Sequence, residues 1–278
     1  MKICDAVLER GWHARLELSY AQRNARTILA QRRHSGPLLV QKALYPEPEV
    51  CHSIILHPPA GIAGGDVLDL EAELGAGSKV LLTTPGATKW YRTRAEPARQ
   101  TVRFNLGPGA SLEWLPQENI VFDGSRAETK MDVGLARGAV FCAWDVYCLG
   151  RLASGETFRS GYLRNSSSIY FDGNLVWRER GRFAAADRLL DSPIGLTGRR
   201  VFGTFIVASD SLPAGLLEST RAIAAPAVCA ITQLPKVWFA RYLGDSTEAA
   251  RDYFRALWHV LRPNLLDRAA VAPRIWST

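Results

Sequence analysis

The chain has 278 residues, a net charge of +7 at neutral pH with a pI near 9.3, and 47% apolar residues. That apolar share excludes a disordered chain and supports a sizeable core, and the length allows one large domain or two small ones. The basic residues are spread out with no run resembling a basic arm, which argues against nucleic-acid binding and leaves a basic surface suited to an acidic partner.

The N-terminus, Met1-Lys2-Ile3-Cys4-Asp5, lacks the apolar core of a signal peptide, and no apolar run reaches the ~18 residues of a membrane span. The five cysteines, Cys4, Cys51, Cys142, Cys148 and Cys229, are odd in number, irregularly spaced and without a CxxC. They read as buried thiols of a reducing compartment, not a disulfide framework or a zinc site. The expectation is a soluble, cytoplasmic protein with no membrane contact.

From about residue 12 to about 210 the pattern predicts a large β body. Apolar or alternating runs of four to eight residues, such as Ala14-Arg15-Leu16-Glu17-Leu18 and Val80-Leu81-Leu82-Thr83-Thr84, are broken by Gly, Pro, Asn or Asp. Leu74-Gly75-Ala76-Gly77-Ser78-Lys79-Val80 recurs as Leu106-Gly107-Pro108-Gly109-Ala110-Ser111-Leu112. It recurs again, degraded, as Leu135-Ala136-Arg137-Gly138-Ala139-Val140. A turn followed by an apolar strand at such a period suggests stacked, coiling β layers, and three ordinary glycine turns are the alternative. Asp172-Gly173, between Ile169-Tyr170-Phe171 and Leu175-Val176-Trp177, predicts a hairpin.

The sequence changes character at about 211. Ser211 and Pro213 predict the start of a short helix through Leu216, Leu217, Thr220 and Ile223. Asp245 and Glu248 predict the cap of a longer helix, with Ala250, Tyr253, Phe254, Leu257, Trp258 and Leu261 on one face and Pro263 as its stop. Its apolar face is expected on the β body. Arg251, Arg255, Arg262 and the Trp276 tail are then left for contact with a partner. The tail, 264–278, is expected to be extended. No low-complexity linker divides the chain, so a single unit over 1–278 is expected, mainly β with two helices packed on it.

His52 and His57, five apart around a strand, point to opposite faces and read as two separate structural histidines. Gly61-Ile62-Ala63-Gly64-Gly65-Asp66 lacks the Gly-Lys-Ser/Thr ending of a nucleotide loop, and reads as a tight turn presenting Asp66. The remaining chemistry lies in carboxylates among apolar neighbours: Asp66, Glu118, Asp145, Glu156 and Glu179. A carboxylate in such a setting is paired, most simply with an arginine, or contacts a cation. As a set they suit weak, transient divalent-ion contact.

Three blocks carry the strongest signal: His57-Pro58-Pro59-Ala60-Gly61-Ile62-Ala63-Gly64-Gly65-Asp66, Thr83-Thr84-Pro85-Gly86-Ala87-Thr88-Lys89-Trp90-Tyr91-Arg92, and Leu112-Glu113-Trp114-Leu115-Pro116-Gln117-Glu118-Asn119-Ile120-Val121-Phe122-Asp123-Gly124. With Gly11-Trp12-His13-Ala14-Arg15-Leu16, Gly36-Pro37-Leu38-Leu39-Val40-Gln41, Tyr45-Pro46-Glu47, Leu261-Arg262-Pro263 and Pro273-Arg274-Ile275-Trp276, the sequence resembles the urease accessory protein D family (UreD, also called UreH) over nearly its whole length. Ala60, Ala25 and Trp90 depart from the family pattern, where Gly, Gly and Phe are usual. The resemblance implies a layered, helix-like β structure with two helices. It implies a non-enzymatic maturation factor supporting GTP-dependent incorporation of nickel into apo-urease. The implied partners are apo-urease, a helical adaptor (UreF) and a GTPase (UreG), with no tightly bound cofactor. Asp66, Glu118, Asp145 and Glu179 are the candidate transient nickel contacts. The alternatives are a β-rich hydrolase or transferase using Asp66, His57 and Glu118, and a β-solenoid binding module unrelated to metal.

Overall fold

The computed structural model describes residues 11–94 and 96–277, so Cys4 and the N-terminal pentapeptide lie outside the described residues. The chain opens with β1 (His13–Arg23), β2 (Arg26–Ser35), β3 (Leu39–Leu44) and β4 (Cys51–Leu56). It then winds through β5 (Gly61–Ile62), β6 (Val67–Leu74), β7 (Lys79–Thr83), β8 (Thr88–Trp90), β9 (Ala98–Leu106) and β10 (Ser111–Trp114). After β11 (Asn119–Val121), β12 (Arg126–Leu135) and β13 (Val140–Leu149) comes the hairpin β14 (Tyr162–Phe171) and β15 (Asn174–Ala184). The C-terminal part is β16 (Val201–Ser209), α1 (Leu216–Arg221), β17 (Val228–Gln233), β18 (Val237–Gly244) and α2 (Thr247–Leu266).

Successive turns of the chain stack as coils. A first sheet runs β15-β14-β12-β9-β6-β1-β2 and a second β17-β18-β16-β13-β10-β7-β4-β3, while β5, β8 and β11 pair as a short third face. The sequence repeat is the corner of each coil. Leu106 pairs with Leu74 on one side and Leu135 on the other, and Ser111 likewise with Lys79 and Val140. Gly77, Gly109 and Gly138 turn these corners at φ of 70°, 66° and 73°, conformations that suit glycine. Gly77 and Gly109 donate their N–H to the next corner at 2.9 and 3.1 Å. The fold is thus mainly β, a layered helical winding with two helices in its C-terminal half. Asp172 and Gly173, at φ of 45° and 78°, form the expected hairpin turn.

Alternation follows solvent. In β6, Leu68, Leu70, Ala72 and Leu74 are buried between the sheets while Asp69, Glu71 and Glu73 face outward. The second sheet is covered on both sides. Phe141, Ala143, Tyr147 and Leu149 of β13 face the first sheet, and Cys142, Trp144, Val146 and Cys148 pack in the core that contains α2. That double burial explains the unbroken apolar run. The expected helical face of α2 is buried as predicted, with Phe254, Leu257, Trp258 and Leu261 at 0% exposure.

The C-terminal part corrects several expectations. The β body does not end near 210, because β17 and β18 form a hairpin between the two helices and extend the second sheet to Gly244. Leu234-Pro235-Lys236 supplies its turn, with Leu234 N–H donating to Val237 O at 2.7 Å. Ser211 does not cap α1, which begins after Gly215. The Ser211 carbonyl instead accepts from Ser209 Oγ at 2.9 Å. Ser246, not Asp245, caps α2 by accepting from Ala249 N–H at 3.1 Å; Asp245 pairs with Arg199. Pro263 lies inside α2, which continues to Leu266. A proline in the last turn removes one backbone donor, and the Asn264 side-chain amide bonds the Val260 carbonyl at 2.8 Å. The tail is not extended throughout: residues Arg274–Ser277 form a 3-10 turn.

Candidate functional site

The inward positions of β13, β16 and β18 meet those of β15 around a cavity of about 290 Å³. Asp145 pairs in register with Thr204, and Thr204 with Arg241, so the three form one row across the second sheet. Glu179 enters from β15 on the first sheet. Arg241 Nη1 donates to Glu179 Oε1 and, at 2.6 Å, to Thr204 Oγ1. Asp145 has no such partner among the described residues. Burial first, and then the negative charge of Glu179, pushes its carboxyl from the ordinary 3.8 up to about 7. Beside it Tyr147 shares a 3.1 Å hydrogen bond with Thr129, and burial holds its phenol well above the usual range.

Asp145, Glu179, Tyr147, Thr129 and Thr204 bring to the cavity oxygens of the kind that can contact a divalent ion. Among the described residues, no group of three or more His, Cys, Asp or Glu is placed to hold a metal. Gln100 and Trp114 line both this cavity and a second of about 140 Å³, bounded by His57 and the 84–88 loop.

The structure separates the other two candidates from this pair. Asp66 closes the glycine-rich turn: Oδ1 accepts from Trp12 N–H at 2.7 Å and Oδ2 from Ala63 N–H at 2.8 Å. Glu118 lies 3.3 Å from Arg251, whose Nη1 also donates to Gln117 at 2.5 Å. Glu156 pairs with Arg151 at 2.6 Å and accepts from Asp123 N–H at 2.9 Å. These are the ion-paired and turn-closing roles that burial demands. His57 Nε2 has no hydrogen-bond partner, and burial lowers its pKa against the opposing charge of Asp66. Both Asp66 oxygens are engaged by backbone, and among the described residues no hydrogen bond joins Asp66, His57 and Glu118. His52 is a separate, buried residue 2.8 Å from Glu47, as the strand spacing requires.

A second cluster lies on the other side of the second sheet. Arg262 on α2, 1% exposed, donates to Glu113 on β10 at 3.0–3.1 Å and to Glu47 at 2.7 Å. Trp258 Nε1 adds a 2.6 Å bond to Glu113. Burial alone would raise the Glu47 pKa, but hydrogen bonds from His52 and Arg262 outweigh it and hold it at about 2. Arg262 is therefore an anchor and not part of an exposed basic face. Arg251 is engaged by Gln117 and Glu118, and Trp276 folds back between Trp144 and Trp258, its Nε1 donating to Thr83 at 2.8 Å. The expected contact face of α2 and the tail is mostly spent on the protein itself.

Sequence reasoning missed Arg241, Thr204 and Tyr147. The signal for Arg241 was present, as the only charge in the run Val237-Trp238-Phe239-Ala240-Arg241-Tyr242-Leu243. A lone cation in such a run needs an anion, and Glu179 is it. The same logic applied to Arg262 would have found Glu113.

Comparison with known proteins adds to this geometry. A family model described as UreD urease accessory protein matches residues 13–277. A protein named Urease accessory protein UreD from Methylobacillus flagellatus is 50% identical over 274 residues, covering 97% of this chain and 96% of its own. Another of that name from Dechloromonas aromatica is 50% identical over 273 residues, covering 96% of this chain and 95% of its own. A third, from Pseudomonas aeruginosa, is 50% identical over 276 residues, covering 99% and 98%.

Proposed function

This chain belongs to the UreD urease accessory protein family, which gives it a role in urease maturation, and from that premise we propose that it is a non-catalytic scaffold for GTP-dependent incorporation of nickel into apo-urease. It works in the cytoplasm with a helical adaptor (UreF) and a GTPase (UreG), and nickel is its cargo, not a resident cofactor. The observation that carries this reading is the cavity in which Asp145 has no cationic partner while Glu179 is held by Arg241. A delivery path needs weak oxygen contacts that an ion enters and also leaves. Asp145 and Glu179 fill that role. Asp66 and Glu118 do not line this cavity and act structurally.

The test is a reconstitution from purified apo-urease, adaptor, GTPase, nickel, bicarbonate and GTP, with and without this chain. The expected result is nickel in urease only when this chain and hydrolysable GTP are both present. Equal nickel content without it would overturn the proposal.

A further inference from the structure

The first sheet carries charge on its outer face, and the two ends of that face differ. Near β1 and β6, cations and anions alternate: Arg15 lies 2.7 Å from Glu17 and 3.2 Å from Glu71, and Arg103 lies 3.0 Å from Glu71 and 3.5 Å from Asp69. At the other end the balance fails. The last strand, β15, turns Glu179 inward and sends Arg178, Arg180 and Arg182 outward, all exposed. Arg164 of β14 stands directly opposite Arg182. Like charges in that position repel, so the fold retains them at a cost.

Arg164, Arg180 and Arg182 line a groove of about 530 Å³ in which they, Arg99 and Lys130 meet a single carboxylate, Glu128, and Arg178 continues the row beyond it. Glu128 is already shared between Arg99 at 3.1 Å and Arg164 at 3.2 Å, and Lys130 is held by Asp132 at 2.6 Å. Among the described residues no carboxylate lies within ion-pair distance of Arg178, Arg180 or Arg182. Arg178 has only the Tyr170 hydroxyl, at 3.3 Å.

We propose that this groove docks an extended acidic segment of a protein partner, with carboxylates at alternate positions. Arg178, Arg180 and Arg182 follow at two-residue steps, about 7 Å each, which is the repeat of side chains on one face of an extended chain. They form a row and do not converge on a point, as a single small oxyanion would require. Single-strand readers commonly add aromatic rings on which bases stack, and the Tyr162 ring in this region is covered by the Arg164 guanidinium at 4.7 Å. Glu179 and Asp145 point to the opposite side of the sheet, and Arg180 and Lys130 line both the groove and the cavity between the sheets.

The experiment uses the whole chain and a fluorescein-labelled octapeptide of alternating Glu and Ser, read by anisotropy at low ionic strength. Arg180→Ser with Arg182→Ser should weaken binding about tenfold, without lowering Tm, because it removes a repulsion. Arg15→Ser with Arg103→Ser removes the same charge from the paired end and should leave binding unchanged. The proposal is overturned by absence of binding, by equal weakening in both variants, or by tighter binding of inorganic phosphate or an equally charged single-stranded oligonucleotide.

Discussion

The second sheet has a carboxylate cluster on each side, and the two are built to opposite rules. Toward α2, Glu47 and Glu113 are saturated by Arg262, His52 and Trp258 in a packed setting. Toward the first sheet, beside a cavity, Arg241 pairs with Glu179 and not with Asp145. Saturated carboxylates fix geometry; a carboxylate left with unused oxygens holds its proton and remains open to a cation. Burial alone therefore does not tell a saturated carboxylate from an open one.

The largest expected effect comes from breaking the saturated side. Arg262→Met leaves Glu47 and Glu113 buried without their cation and should cost about 3–5 kcal/mol. Denaturant unfolding of the whole chain measures this, and a loss below about 1 kcal/mol would remove the anchor role. Next is Asp66→Asn. One of the two backbone donors, from Trp12 or Ala63, then faces an amide NH₂, at a cost of about 1–3 kcal/mol. A nickel-handling role without structural duty predicts unchanged stability instead.

Stability against pH sharpens the contrast because the two sides titrate in opposite senses. Glu47, depressed from 4.5 to about 2, contributes stability that is present above about 4.5 and lost as pH falls through about 2. Asp145, raised from 3.8 to about 7, binds its proton more tightly folded than unfolded, so its contribution declines as pH rises from about 4 to about 7. Glu47→Gln should flatten the acid limb only, and Asp145→Asn the limb approaching neutrality only. If both limbs survive Asp145→Asn, its carboxyl is not the perturbed group. The smallest effect is expected at Ala60, which holds φ of 60° in the turn after His57. Ala60→Gly should raise stability by about 0.5–1 kcal/mol, visible as a small increase in Tm.

Much of the winding was legible because its cause is local. The corner glycines and the leucines that precede them repeat with the coil, and Asp172-Gly173 dictates its own turn. The β17–β18 hairpin was passed over because a run of helix signals surrounds it, although Trp238, Ala240 and Tyr242 alternate as a strand must. The pairing of carboxylates was not legible, since partners such as Glu113 and Arg262 lie 149 residues apart and meet only through the stacking of α2 on the sheet. The list of candidate carboxylates contained both members of the cavity pair, and no spacing rule could separate them from Asp66 and Glu118. What separates them is place: Asp145 and Glu179 line the cavity between the sheets, and Asp66 and Glu118 do not.

The account is tested most directly by the nickel content of urease matured with Asp145→Asn in place of the parent chain. Asparagine keeps the size of the side chain, removes the titrating proton and the charge, and puts an amide NH₂ in place of one oxygen. The prediction is a severalfold fall in nickel per urease, with the variant folded and recovered with adaptor, GTPase and urease as the parent is. Full nickel content in urease matured with a variant so assembled would contradict it.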